Sequence, residues 1–231
     1  MKLKFLIPVL LLAIPACSGD DTVYYNATAI GDVVAGRFVS DDGLVLNIKE
    51  KTCDEDFSGL DRAFIMFDAL RKTGDKEFDI RLNGVAKVLR KDVVFSSEPG
   101  GEERGSDPIM LNLGWFSGEY LNADVVVSFL KGSETPHLIN LEFDDVNSGT
   151  DTLRFTLKHN GYGEVFGGSI DDGEKKFVLG KTYASFPVRD LIPEGMDSIP
   201  VKISWDWYGT DSDGRLTDEI ISHSEVGILR R

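Results

Sequence analysis

The chain has 231 residues, with 39 acidic against 25 basic side chains and a formal net charge of −14. That length allows two modest domains, each with a real core. A field of that sign repels phosphate backbones, which excludes nucleic acid as an expected partner.

Lys2 and Lys4 precede an apolar run, Phe5 to Ile14, broken only by Pro8. The run is too short for a permanent membrane helix, and the order of charge, apolar stretch and small residue is that of a secretory signal. Ile14-Pro15-Ala16-Cys17 looks like a lipobox. Residues 1–17 are therefore read as a lipoprotein signal peptide and lipobox, with cleavage before Cys17 and a diacylglycerol on its sulfur. Acyl chains contribute about 0.8 kcal/mol per buried methylene, so two or three of them make a lasting anchor. Residues 18–22 read as an acidic tether. Its Asp20 and Asp21 resemble the export signal that carries lipoproteins to the cell surface in the Bacteroides group. Cleavage takes Lys2 and Lys4 and no acid, which moves the net charge from −14 to −16. With Cys17 lipidated, Cys53 has no partner for an intrachain disulfide and reads as a buried, inert thiol.

The mature chain reads as short strands separated by turn signals. Phe78, Ile80 and Leu82 alternate with Asp79, Arg81 and Asn83, and Val201, Ile203, Trp205 and Trp207 alternate with Lys202, Ser204 and Asp206. That is the period of half-buried strands. Asp42-Gly43, Asn160-Gly161, Asp172-Gly173 and Asp213-Gly214 are dipeptides that tight hairpins favour. Ser58 to Gly74 is the exception: Leu60, Ala63, Phe64, Phe67 and Leu70 fall at helical spacing, with Ser58 and Asp61 spaced as a capping box. Residues 98–106 are rich in Gly, Glu and Pro and read as a linker between residues 23–97 and residues 107–231. The first of these segments is nearly neutral, net −2, and the second carries −10.

In series, these features resemble the NigD-like lipoproteins of the Bacteroides group. In the first module the matching stretches are Thr22–Ile30, Ser40-Asp41-Asp42-Gly43, the Gly59-Leu60-Asp61-Arg62 step into an apolar strand, and Phe78–Phe95. In the second they are Asp107-Pro108-Ile109, Tyr120-Leu121-Asn122, His137-Leu138-Ile139-Asn140-Leu141 and Leu153–Asn160. The resemblance implies an all-β chain, an N-terminal OB-like barrel over 23–97 followed by a C-terminal antiparallel β-sandwich over 107–231. It also implies that Ser58–Gly74 is a strand, against its local spacing. It lends no catalytic residues, and its name comes from an operon associated with a bacteriocin.

Side chains suited to catalysis are sparse. The histidines are His137, His159 and His223, no Gly-x-Ser-x-Gly elbow occurs, and no His or Cys pair has zinc spacing. All three read as structural, and neither a cofactor nor a metal is expected. Asp211, Asp213, Asp218 and Glu219 miss the calcium-loop spacing because Arg215 takes a ligand place. Asp144 and Asp145 read as a polar hairpin. Trp115, Phe116 and Tyr120 occur where Gly114 and Gly118 suggest a loop or bend that would expose them; they are the candidate partner-binding residues.

The expectation is a non-enzymatic outer-membrane lipoprotein, anchored through Cys17 and binding a protein or glycan partner at the envelope. The alternatives are an envelope glycoside hydrolase using a carboxylate pair, and a self-protection factor linked to a bacteriocin.

Overall fold

The computed structural model describes residues 24–166 and 177–231. The lipobox, Cys17, Asp20, Asp21 and the Asp172-Gly173 turn lie outside the described residues. The described chain is all-β apart from two short helical turns, Gly101–Arg104 and Arg189–Leu191.

The N-terminal strands are β1 (Tyr24–Val34), β2 (Arg37–Ser40), β3 (Val45–Lys51), β4 (Arg62–Gly74) and β5 (Glu77–Arg90). β1 pairs antiparallel with β2, and β2 with β3. β3 runs parallel to β5, which returns antiparallel to β4, and β4 pairs antiparallel with β1. The ring 1-2-3-5-4-1 is a closed five-stranded barrel of OB type. Phe38, Leu46, Phe57, Ile65, Phe67, Ile80 and Leu82 fill it. At Gly31 the two barrel strands approach so closely that a Cβ would sit 2.1 Å from the Val39 carbonyl oxygen.

β4 is the stretch whose spacing suggested a helix. Its buried apolar residues are Ala63, Ile65, Phe67 and Ala69, a period of two, while Met66 between them is exposed. Both edges of β4 are hydrogen-bonded, to β1 and to β5, and that ladder outweighs a local helical preference of a few tenths of a kcal/mol per residue.

β5 runs on past the barrel. Its Val88, Leu89 and Arg90 pair parallel with Tyr183, Ala184 and Ser185 of β11 (Phe177–Pro187). β11 pairs antiparallel with β8 (Tyr120–Leu130), and β8 with β7 (Ile109–Ser117). One sheet therefore crosses from barrel to sandwich. The facing sheet has the order β13 (Leu216–Arg230), β12 (Ser198–Thr210), β10 (Leu153–Asn160), β9 (Leu138–Phe143), β6 (Val94–Phe95). Its β10–β12 and β6–β9 pairs are parallel, in a sandwich expected to be antiparallel. Leu121, Val125, Leu141, Phe155, Phe186, Val201, Ile203, Trp205 and Trp207 form the core between the sheets.

The segment read as a linker lies against the sandwich. β6 has already joined the second sheet at Val94. Arg104 is buried, pairs with Glu142 at 2.7 Å and donates to the carbonyls of Glu98 and Pro99. Gly105 has φ +77°, and a Cβ there would fall 2.3 Å from the His159 carbonyl oxygen. Polar composition here signals backbone and side-chain hydrogen bonds to a folded neighbour rather than freedom from one.

Candidate functional site

Three polar or open features of the structure could carry function: a buried arginine at the module junction, a histidine pair, and the free edge of the second sheet.

Arg62 opens β4, and its side chain is fully buried. Nε donates to Ser185 Oγ (2.8 Å), one terminal nitrogen to Asp32 Oδ1 (2.9 Å), and the other to Asp41 Oδ2 (2.6 Å) and Asn122 Oδ1 (3.1 Å). Its guanidinium carbon lies 4.0 Å from the centre of the Tyr120 ring. Ser117 and Asn122 also reach Asp41, at 2.6 and 3.5 Å. Burial by itself disfavours the charged guanidinium, but the hydrogen bonds and charges of Asp41 and Asp32 outweigh it and raise the pKa. Burial pushes the Tyr120 phenol up to about 12. Because Arg62, Asp32 and Asp41 come from the barrel and Ser117, Asn122 and Ser185 from the sandwich, this network is a staple.

Trp115 and Tyr120, expected as exposed contact residues, belong to the same junction. Trp115 is 8% exposed and packs with Ile30 and Val88, while Tyr120 is 3% exposed beneath Arg62. Phe116 is half-buried against the sandwich core. The expected bend is a tight turn at Gly118 between β7 and β8, and both strands continue up to it, so Trp115 and Phe116 point to opposite faces of the sheet, the first into the junction and the second toward the sandwich core. None of the three offers an open ring to a partner in this arrangement.

His137 Nδ1 and His159 Nε2 are 2.9 Å apart, and His159 Nδ1 lies 3.1 Å from the Pro108 carbonyl oxygen. A carbonyl only accepts, so His159 donates from Nδ1, and with its pKa held low the ring is neutral at pH 7 and accepts at Nε2 from His137. Burial, then repulsion from His137, pulls His159 down to about 4, and burial lowers His137 too. No serine or cysteine is hydrogen-bonded to either ring among the described residues, so the pair is a neutral brace between β10 and the chain leading into β7. His223 stacks on Trp205, with centroids 5.6 Å apart.

The acidic clusters are occupied by their own surroundings. Asp145 accepts from Ser96 Oγ and from the Ser97 amide and hydroxyl, which hold its carboxyl down at about 2. Asp211 Oδ1 accepts from the backbone amides of Asp213 and Arg215 in the β12–β13 turn. Among the described residues no group of three His, Cys, Asp or Glu side chains is placed to hold a metal ion. Cys53 is half-buried, its sulfur turned toward the carbonyls of Glu55 and Leu82.

The third feature is β13. It is the terminal strand of its sheet, 15 residues long, paired with β12 on one side only among the described residues. Register with β12 places Leu229, Gly227 and Glu225 toward the core and Ile220, Ser222, Ser224, Val226 and Ile228 on the outward face. Ile220, Val226 and Ile228 are 50%, 62% and 54% exposed. Beside them Lys202, Ser204, Asp206, Ser222 and Ser224 line a shallow groove of about 320 Å³. Proteins normally blunt such edges with proline, charge or bulges. The outward apolar residues here were not legible as a site, because a strand with one solvated face and a strand with one sticky face share the same alternation.

The family model for the NigD-like C-terminal beta sandwich domain matches residues 92–216, which takes in the segment 98–106. No curated protein matches the chain. Among solved structures, a protein of unknown function from Bacteroides vulgatus is 18% identical with a TM-score of 0.59, covering 91% of each chain. A NigD-like immunity protein from Bacteroides caccae is 16% identical with a TM-score of 0.57, covering 87% of this chain and 91% of its own. A candidate lipoprotein from Bacteroides fragilis is 12% identical with a TM-score of 0.54, covering 90% and 97%. At these identities the likeness is one of fold, a barrel followed by a sandwich, and none of the three is described as an enzyme. The match over residues 92–216 covers more than half of the 231 residues, and the chain belongs to the NigD-like family.

Proposed function

We propose that this protein is a non-enzymatic lipoprotein of the outer membrane, anchored through lipid on Cys17 and displayed with the aid of Asp20 and Asp21, that captures a protein partner along the open edge of its sandwich. The observation that carries the reading is β13, a 15-residue terminal strand with β-branched side chains half or more exposed on its outward face. An unpaired strand edge offers a row of backbone donors and acceptors, and pockets beside alternate side chains supply selectivity. That chemistry suits a protein strand better than a glycan, which favours aromatic platforms, and Trp115 and Tyr120 are spent on the junction. The engagement of Asp145, Asp211 and the Arg62 carboxylates in structural hydrogen bonds supports a binding role over a hydrolytic one. The name of the Bacteroides caccae structure suggests a second reading, self-protection, in which the captured partner is a toxin.

A photo-crosslinking amino acid at Ser222 in intact cells tests the proposal. A protein adduct from Ser222, with none from the barrel position Lys72, is the expected result. Adducts from the barrel and none from β13 would remove β13 as the contact surface.

A further inference from the structure

We infer that the strand seated on β13 belongs to a second copy of this chain, in an antiparallel β13–β13 pair centred on Ser224. The inference rests on the proposal above that β13 is the contact edge, and it names the partner.

Facing residues of an antiparallel pair lie on the same face of the sheet, so a two-fold pairing must oppose outward residues to outward residues. With Ser224 facing Ser224, Ile220 of each copy faces Ile228 of the other and Ser222 faces Val226. The same register sets Asp218 against Arg230, and on the inner face His223 against Glu225. Asp218, Ile220, Val226, Ile228 and Arg230 are exposed in the single chain. Among the described residues no ion pair holds Asp218, Glu225 or Arg230. Each outward apolar side chain thus meets an apolar or small one, and Asp218, Arg230, His223 and Glu225 each meet a complementary group, twice over because of the symmetry, while on the inner face Glu219 falls opposite Leu229.

Neighbouring registers lack this match. A two-residue shift one way places Asp218 opposite Ile228. A shift the other way places Ile220 opposite Arg230 and Glu225 opposite Glu225. A one-residue shift opposes the outward face of one copy to the core-packed face of the other. β13 contains no proline to obstruct pairing, and its irregularity against β12 is confined to the turn end, between Tyr208 and Thr210. Two chains that each carry a net charge of −14, or −16 once Lys2 and Lys4 are removed, repel at long range, but at physiological salt that field fades within about 8 Å, leaving the contact pairs to decide.

The register is read by cysteine pairing in intact cells, in the full chain carrying Cys53→Ser. Facing residues of an antiparallel pair have Cα atoms about 4.5–5.5 Å apart, within the range a disulfide spans. Ser224→Cys is expected to give a dimer-mass band on non-reducing gels that collapses with reductant. Ser222→Cys and Val226→Cys, each alone, are expected to give none, because a residue and its own copy are then about 13 Å apart at roughly 3.3 Å per residue. Combined in one chain, those two substitutions face each other and restore the band. Cys53→Ser alone controls for Cys17. No dimer from Ser224→Cys at normal protein level, or equal dimer from every single cysteine, overturns the inference. Absence of a Ser224 dimer alongside a photo-adduct to a different protein at Ser222 overturns the self-pairing and leaves the edge proposal standing. Absence of both removes the two together.

Discussion

Replacing Arg62 by alanine removes the one cation shared by Asp32 and Asp41. The side chain of Asp41 is 7% exposed and that of Asp32 38%, so most of the penalty falls on Asp41 and the Asp32 share is discounted for solvent. Stranding one buried carboxylate costs about 3–5 kcal/mol. For a chain of this size each kcal/mol moves Tm by about 2–4 °C, giving a fall of roughly 6–20 °C. Arg62→Lys keeps the charge, but an ammonium has three donors and no planar fork to span Ser185, Asp41, Asp32 and Asn122, so it recovers only part of the loss. The double variant Arg62→Ala, Asp41→Asn no longer strands that carboxylate. It is expected to be less destabilised than the sum of the singles by at least about 1 kcal/mol. Denaturant unfolding of the mature chain followed by circular dichroism supplies all four corners of the cycle. Additive singles, or an Arg62→Ala chain within about 1 kcal/mol of wild type, would refute the staple.

Further expected outcomes follow from other sites. His159 is neutral in the fold with its pKa near 4, against an ordinary value of 6.5. Its contribution is therefore complete above pH 6.5 and is lost as pH falls toward 4, by up to roughly 3 kcal/mol; His159→Asn should flatten that slope in pH-dependent unfolding, and an unchanged slope would deny it. Gly31→Ala drives a Cβ into the Val39 carbonyl and should cost at least about 2 kcal/mol, read as a lowered denaturation midpoint; a stable variant would show that the strands can part there. A fatty-acid probe should label the wild-type chain and not Cys17→Ala, and equal labelling would end the lipoprotein proposal.

Much of the architecture is written in local pattern. Alternation in Phe78–Asn83 and Val201–Trp207 specifies strands with one buried face, and Asp213-Gly214 forms the β12–β13 turn with Gly214 at φ +78°. These depend only on the two-residue side-chain period and on backbone sterics, which any window of sequence displays. The family pattern supplied what local pattern denied, that Arg62–Gly74 is a strand, because the deciding hydrogen bonds come from β1 and β5. Burial of Trp115 and Tyr120, the packing of 98–106, and the burial of Arg62 were decided by tertiary structure alone. Each depends on residues far apart in sequence meeting in one place: Arg62 and Ser185 are 123 positions apart, and β5 pairs with β11 although β6 to β10 lie between them in the chain. The outward face of β13 stands at the same limit. Its residues are plain in the sequence, but their value as a contact edge depends on β13 being the last strand of its sheet, a fact of strand order that only the folded chain establishes.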